Sequence, residues 1–212
     1  MRLKPAWVIP SCLLVWVPFT ICGFWSTRLF LEAGNHLTFA VPQPLLPVPF
    51  AMLCGLFLFR SLKELALVVV ASVPAYFAAH FSALGAFAFM DNLGATTFQE
   101  RWSPFLAMCL GSLIGALCMT HIFGSFHPHL LSRRYQAGAA AVGCIAALPL
   151  GFWLRSFFAV PTFPEPHILL FRCSFAVWQA AFGTYLCVAC TLGEKMGVPT
   201  GSGGGHSANS AP

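Results

Sequence analysis

The sequence predicts an all-α integral membrane bundle of six transmembrane helices with both termini cytoplasmic. Three observations carry that prediction. The chain is 58% hydrophobic and only 8% charged over 212 residues, whereas a soluble domain carries roughly 25% charged residues. Six apolar runs fill most of its length, and a backbone crossing a bilayer must satisfy its own polar groups, which favours helices. Lysine and arginine fall unevenly between alternate loops, as expected of a chain threaded back and forth across a membrane.

Span 1 covers about residues 6–25, with Pro10 and Pro18 inside it. The preceding Met-Arg-Leu-Lys resembles the start of a signal peptide, but no small-x-small cleavage site follows. Residues 19–22 make a poor lipidation box, so the run reads as a retained first span. A loop over 26–44 carries Arg28, Glu32 and His36. Span 2, about 45–59, is short, and four prolines from Pro42 to Pro49 predict an extended, distorted or interfacial first turn. Ser61-x-x-Glu64 is a capping-box pattern that places the N-cap of span 3 at Ser61.

Span 3 runs over about 65–90 and contains Pro74 and His80. The loop 91–102 is polar, with Asp91, Asn92, Gln99, Glu100 and Arg101. Ser103-Pro104 pairs a capping residue with proline at a first helical position, predicting the start of span 4, about 104–126. Gly111-x-x-x-Gly115 inside that span has the spacing that lets membrane helices approach closely. After the loop 127–135, span 5 covers about 136–158 and is interrupted by Pro149 and Gly151. The proline-rich linker 161–166 leads to span 6, about 167–193. Residues 1–193 form the transmembrane domain, and 194–212, ending in GSGGGHSANSAP, read as a flexible cytoplasmic tail.

With the N-terminus inside, seven Lys and Arg lie on the inner side (Arg2, Lys4, Arg60, Lys63, Arg133, Arg134, Lys195), against four on the outer side (Arg28, Arg101, Arg155, Arg172). The formal charge of +5 is scattered among loops and helix ends and gives no footprint for nucleic acid. All nine cysteines fall inside apolar runs, where they read as small packing residues; Cys187-x-x-Cys190 is the one close pair and lacks a second pair for a metal.

Candidate site residues follow from depth. Span 6 carries Arg172, Gln179 and Gly183 at steps of seven and four, which is one helical face. An arginine at the centre of a span costs about 2.5–3.5 kcal/mol on insertion scales, so that face turns towards protein or a polar cavity. Arg28, Arg155 and Arg172 all fall near the outer ends of their spans. Together with Gln179, Trp178 and His80 they define an expected outward-facing polar pocket. Guanidinium forks suit carboxylate or phosphate groups, and snorkelling to the interface is the competing reading.

A bis-histidine haem does not fit, because His80 lies ~24 Å above the inner end of its span and His121 only ~9 Å above it. His121, His127 and His129 cluster at the inner end of span 4 without a carboxylate. Beside Arg133 and Arg134 they read as a basic loop facing lipid headgroups rather than a metal site. No catalytic motif is present: there is no His-Glu-x-x-His, no Gly-x-Ser-x-Gly and no phosphate-cradling loop. The sequence therefore implies neither a catalytic residue, nor a metal site, nor a cofactor.

The partners the sequence implies are the lipid bilayer, a small-molecule or lipid ligand, and a partner membrane subunit. The expected location is a bacterial cytoplasmic membrane. Size and span count resemble those of substrate-binding membrane subunits of uptake systems, and equally those of multispan sensory domains. The leading reading is a solute- or lipid-binding transport subunit. The second is a sensory or assembly-factor protein without turnover, and the third a membrane enzyme acting on a lipid-soluble substrate.

Overall fold

The computed structural model describes residues 15–25, 46–59, 61–92, 97–158 and 165–195, omitting side-chain detail at 91, 97–101, 157–158, 165–167 and 193–195. Every element within these is helical: α1 (Val15–Trp25), α2 (Pro47–Leu58), α3 (Leu62–Asn92), α4 (Thr97–Gly124), a 3-10 turn (Pro128–Leu131), α5 (Arg133–Ala146), α6 (Leu148–Phe158) and α7 (Glu165–Lys195). Four stretches are long and apolar enough to cross a membrane: Leu62–Met90, Trp102–Gly124, Arg133–Ser156 and Ile168–Leu192. They mark the chain as an integral membrane protein. The outer surface of α3 fits that setting, with Leu67, Val70, Phe81 and Phe89 exposed along its length.

The other two apolar helices are shorter. The described part of α1 has 11 residues, and α2 has 12, so α2 is ~18 Å long at ~1.5 Å per residue. Its first turn, at Pro47 and Pro49, is helical rather than extended, a correction to the reading of those two prolines; Pro42 and Pro44 lie outside the described residues. Pro47 and Pro49 occupy first-turn positions whose N–H groups have no intrahelical acceptor anyway, so proline costs little there.

Two further boundaries differ from expectation. Helix α4 begins at Thr97 and runs through Pro104 instead of starting beside it. Pro104 removes one hydrogen bond, to the carbonyl of residue 100, while Gln99, Glu100 and Arg101 are good helix formers that propagate the helix upstream. The fifth run is two helices divided at Ala147. Pro149 has no N–H for the Ile145 carbonyl, and Ala147 N–H closes the end of α5 on Gly143 O at 3.1 Å and Cys144 O at 3.2 Å. Helix α3 does start after Ser61, whose carbonyl accepts from Leu65 N–H at 3.1 Å. Helix α7 continues to Lys195, so the start expected for the tail at residue 194 is helical; residues 196–212 lie outside the described ones.

Small residues set the packing. A Cβ placed on Gly111 would fall 2.7 Å from Ala83 Cβ, and one on Gly115 would fall 3.1 Å from Ala79 Cβ. The Gly-x-x-x-Gly pair of α4 thus meets an Ala-x-x-x-Ala pair on α3, and the reversed order makes the helices antiparallel. On the other side of α4, a Cβ on Gly143 of α5 would fall 2.9 Å from Ala116 Cβ. Ser112 Oγ–H crosses that seam to Gly143 O at 2.7 Å.

Helix α1 runs antiparallel to α7. The Phe19 ring sits over Gly183, Gly23 meets Ala176, and Phe24 meets Arg172. Taking α5 and α6 as one segment, the packed neighbours alternate in direction along the chain. One end of the bundle therefore holds the N-termini of α2, α4 and α7 and the C-termini of α1, α3 and α6.

Candidate functional site

At that end, α2 stops short. Beyond Leu46 and Pro47, no described residue fills the space between α3 and α7, and a cavity of about 360 Å³ opens there. That volume falls in the ~300–1,000 Å³ range of small-molecule sites.

One wall is α7. Phe171, Phe175, Trp178, Phe182 and Tyr185 recur at steps of four and three, so their rings form a ladder with centroids 5.9, 6.2, 5.4 and 6.3 Å apart; the first three line the cavity. Trp153 of α6 extends this wall, 4.7 Å from the Phe171 ring, and Phe50 of α2 closes it from below, 6.0 Å from Trp178. The facing wall is the α3–α4 seam, where Ala79, Ala83, Gly111 and Gly115 present little more than backbone.

The polar groups of the lining are largely engaged. Trp178 Nε1–H donates to Ser112 Oγ, whose own proton goes to Gly143 O, so one relay ties α7, α4 and α5 together. Ser72 Oγ–H donates to Val69 O at 2.7 Å. The His80 ring lies 5.8 Å from the ring of Tyr76, one turn earlier. Gln179 is 1% exposed, and its Oε1 has no hydrogen-bond partner among the described residues. That oxygen lies 3.1 Å from where a Cβ on Gly23 would sit, so it is turned towards α1.

Of the six residues singled out in the sequence, His80, Trp178 and Gln179 come together on this cavity. Their depths agree: Trp178 is bonded to Ser112, and Ala79 and Ala83 bracket His80 against Gly115 and Gly111. The other three lie elsewhere or outside the described residues. Arg172 is half-buried beside α1, its Cζ 4.7 Å above the Phe24 ring, with buried Nε and Nη2 lacking hydrogen-bond partners among the described residues. Arg155 is exposed. Arg28, with the rest of the loop 26–45, is outside the described residues.

Sequence reasoning missed the ring ladder and the α3 alanines. The four-and-three spacing of aromatics from Phe171, and Ala79-x-x-x-Ala83 in the preceding span, were the signals available.

The opposite end of the bundle is joined by ring contacts and side-chain hydrogen bonds. Phe59 touches Phe123, Phe126 and His127, with ring centroids 5.4, 5.0 and 5.7 Å away. His129 Nε2–H donates to Ala189 O at 3.1 Å, Gln136 Nε2–H to Leu130 O at 3.1 Å, and Tyr185 O–H to Tyr135 O. His121 is exposed, and among the described residues no three His, Cys, Asp or Glu side chains gather closely enough to hold a metal ion. Cys54, Cys187 and Cys190 are buried in the same core and form no disulfide.

No protein family, curated protein or solved structure matches this chain.

Proposed function

We propose that this chain is a six-pass protein of a cytoplasmic membrane that binds a small solute or lipid in its intramembrane cavity, as a membrane subunit of a transport system would. The cavity itself is the observation that carries the reading: about 360 Å³ at one end of the bundle. Alternating helix directions and the excess of Lys and Arg on one side support six passes with both termini cytoplasmic. In that orientation the cavity opens in the outer half of the bilayer.

Two measurements test the two parts of this reading. Single cysteines at Asn35, Thr97 and Thr162, on a background without the nine native ones, should react in intact cells with an impermeant thiol reagent. Labelling at Ser132 instead would invert the orientation. Organic extracts of the purified protein should contain a small molecule that is absent from extracts of Met108→Trp, which fills the cavity. Identical extracts from two equally folded proteins would remove the binding reading and leave a sensory or assembly role.

A further inference from the structure

We infer that the cavity takes an uncharged chain-like ligand, of the aliphatic or isoprenoid type, and excludes carboxylates and phosphates. This deepens the binding reading above and rests on it. Among the described residues, the lining contains no Asp, Glu, Lys or Arg. Its Ser72 hydroxyl and the Trp178–Ser112 relay already end on backbone carbonyls, and the Gln179 acceptor is turned to α1. An ionised group placed there would lose its hydration without a fixed counter-ion, and His80 on the lining would itself have to take a charge inside an apolar cavity to pair with it, a penalty of about two orders of magnitude in affinity.

Arg172 does not supply that counter-ion. It follows Phe171 by one residue, so it points about 100° further round α7, and its guanidinium lies on Phe24. The shape of the cavity agrees with its chemistry. A ladder of rings from Phe171 to Trp178, ~10 Å long at ~1.5 Å per residue, faces a flat strip of alanine and glycine. That slot accommodates a slender hydrocarbon body and offers no place for a branched polar headgroup.

The test is a matched pair of diazirine photoprobes on one chain, a C12 alcohol and the corresponding C12 carboxylate. Both are applied at pH 8 to the full-length protein in nanodiscs, and labelled residues are mapped by mass spectrometry. The alcohol should label the cavity walls on α3, α4 and α7 saturably. The carboxylate should need roughly 100-fold more probe for equal labelling, from the cost of an unpaired buried charge.

Met108→Trp, which fills the cavity, and Leu84→Trp, which narrows its exposed edge, should each cut alcohol labelling at least 10-fold. Two variants at different sites guard against the misfolding of one. Labelling by the carboxylate as strong as by the alcohol, and lost in Arg172→Ala, would overturn the uncharged class while leaving the cavity a binding site. If neither probe labels the cavity above the lipid-facing Leu67 and Val70, and neither tryptophan changes the pattern, the cavity is no binding site and both readings fall.

Discussion

The two ends of this bundle are built from the same residue types and come out differently. At the closed end, Phe59, Phe123, Phe126 and His127 pack ring against ring, and three side-chain hydrogen bonds, from Gln136, His129 and Tyr185, tie the 3-10 turn and α5 to α7 and to each other. At the open end, Phe171, Phe175 and Trp178 stack along α7 with Trp153 and Phe50 at the margins, and no described residue fills the space in front of them. Apolar composition does not separate the two. What differs is that α2 begins only at Pro47 at the open end, where the polar cross-links include the Trp178–Ser112–Gly143 relay and weak thiol bonds between Cys109 and Cys144. Within a membrane, where lipid is as apolar as a side chain, cavities persist where helix lengths mismatch, because nothing expels apolar surface from its surroundings.

Matched truncations at the two ends should give the largest contrast. Phe123→Ala removes a fully buried ring and should cost about 3–5 kcal/mol. Phe175→Ala removes a half-buried ring already facing a void and should cost less than about half as much. Reversible unfolding in mixed micelles reads both, and equal losses would erase the distinction between the two ends.

Gly111→Leu should follow at about 1–3 kcal/mol or more, because its side chain meets the Ala79 carbonyl oxygen 2.8 Å away, which is backbone and has nowhere to go. Thermal denaturation in detergent, followed by loss of the monodisperse peak, checks it. A mild effect would mean that the α3–α4 seam is looser than its geometry.

Ser112→Ala cuts the Trp178–Ser112–Gly143 relay and should cost about 0.6–1.7 kcal/mol, the scale of interhelical hydrogen bonds in membranes. The Trp178 fluorescence should change with it, read against a Trp178→Phe control. The smallest effect should come from Arg172→Ala, about 0.5–1 kcal/mol for a half-buried cation lying over Phe24. Arg172→Lys should retain most of that stability, whereas a site built on a bidentate fork would reject lysine.

Much of the fold was legible in the sequence, for physical reasons that the exceptions sharpen. The long runs ending near Met90, Gly124 and Leu192 were readable because bilayer thickness fixes a minimum length for a crossing helix. Ser61 marked the start of α3 because a capping residue acts locally. Pro104 misled for the same reason: local chemistry allowed a start there, but propagation from Thr97 prevailed. At Pro149 the proline did break the helix, two residues earlier at Ala147, where the orphaned carbonyls could be closed by one N–H.

The site was half legible. The stripe Arg172–Gln179–Gly183 is a real face of α7, but its direction is set by contacts with α1 that no periodicity reveals. His80, Trp178 and Gln179 share a depth because helices of different lengths are registered by Gly111, Gly115 and Ser112, and such register between distant segments has no signature in a single sequence.

Xenon tests the contrast between the ends most directly, because it enters apolar voids and does not depend on the native ligand. In crystals of the protein pressurised with xenon, density should appear between α7 and the α3–α4 seam, beside Trp178 and Phe175, and none should appear around Phe59 and Phe123. Met108→Trp should abolish the first without creating the second. Xenon at both ends, or at neither while bilayer-facing sites fill, would contradict the account of one open and one closed end.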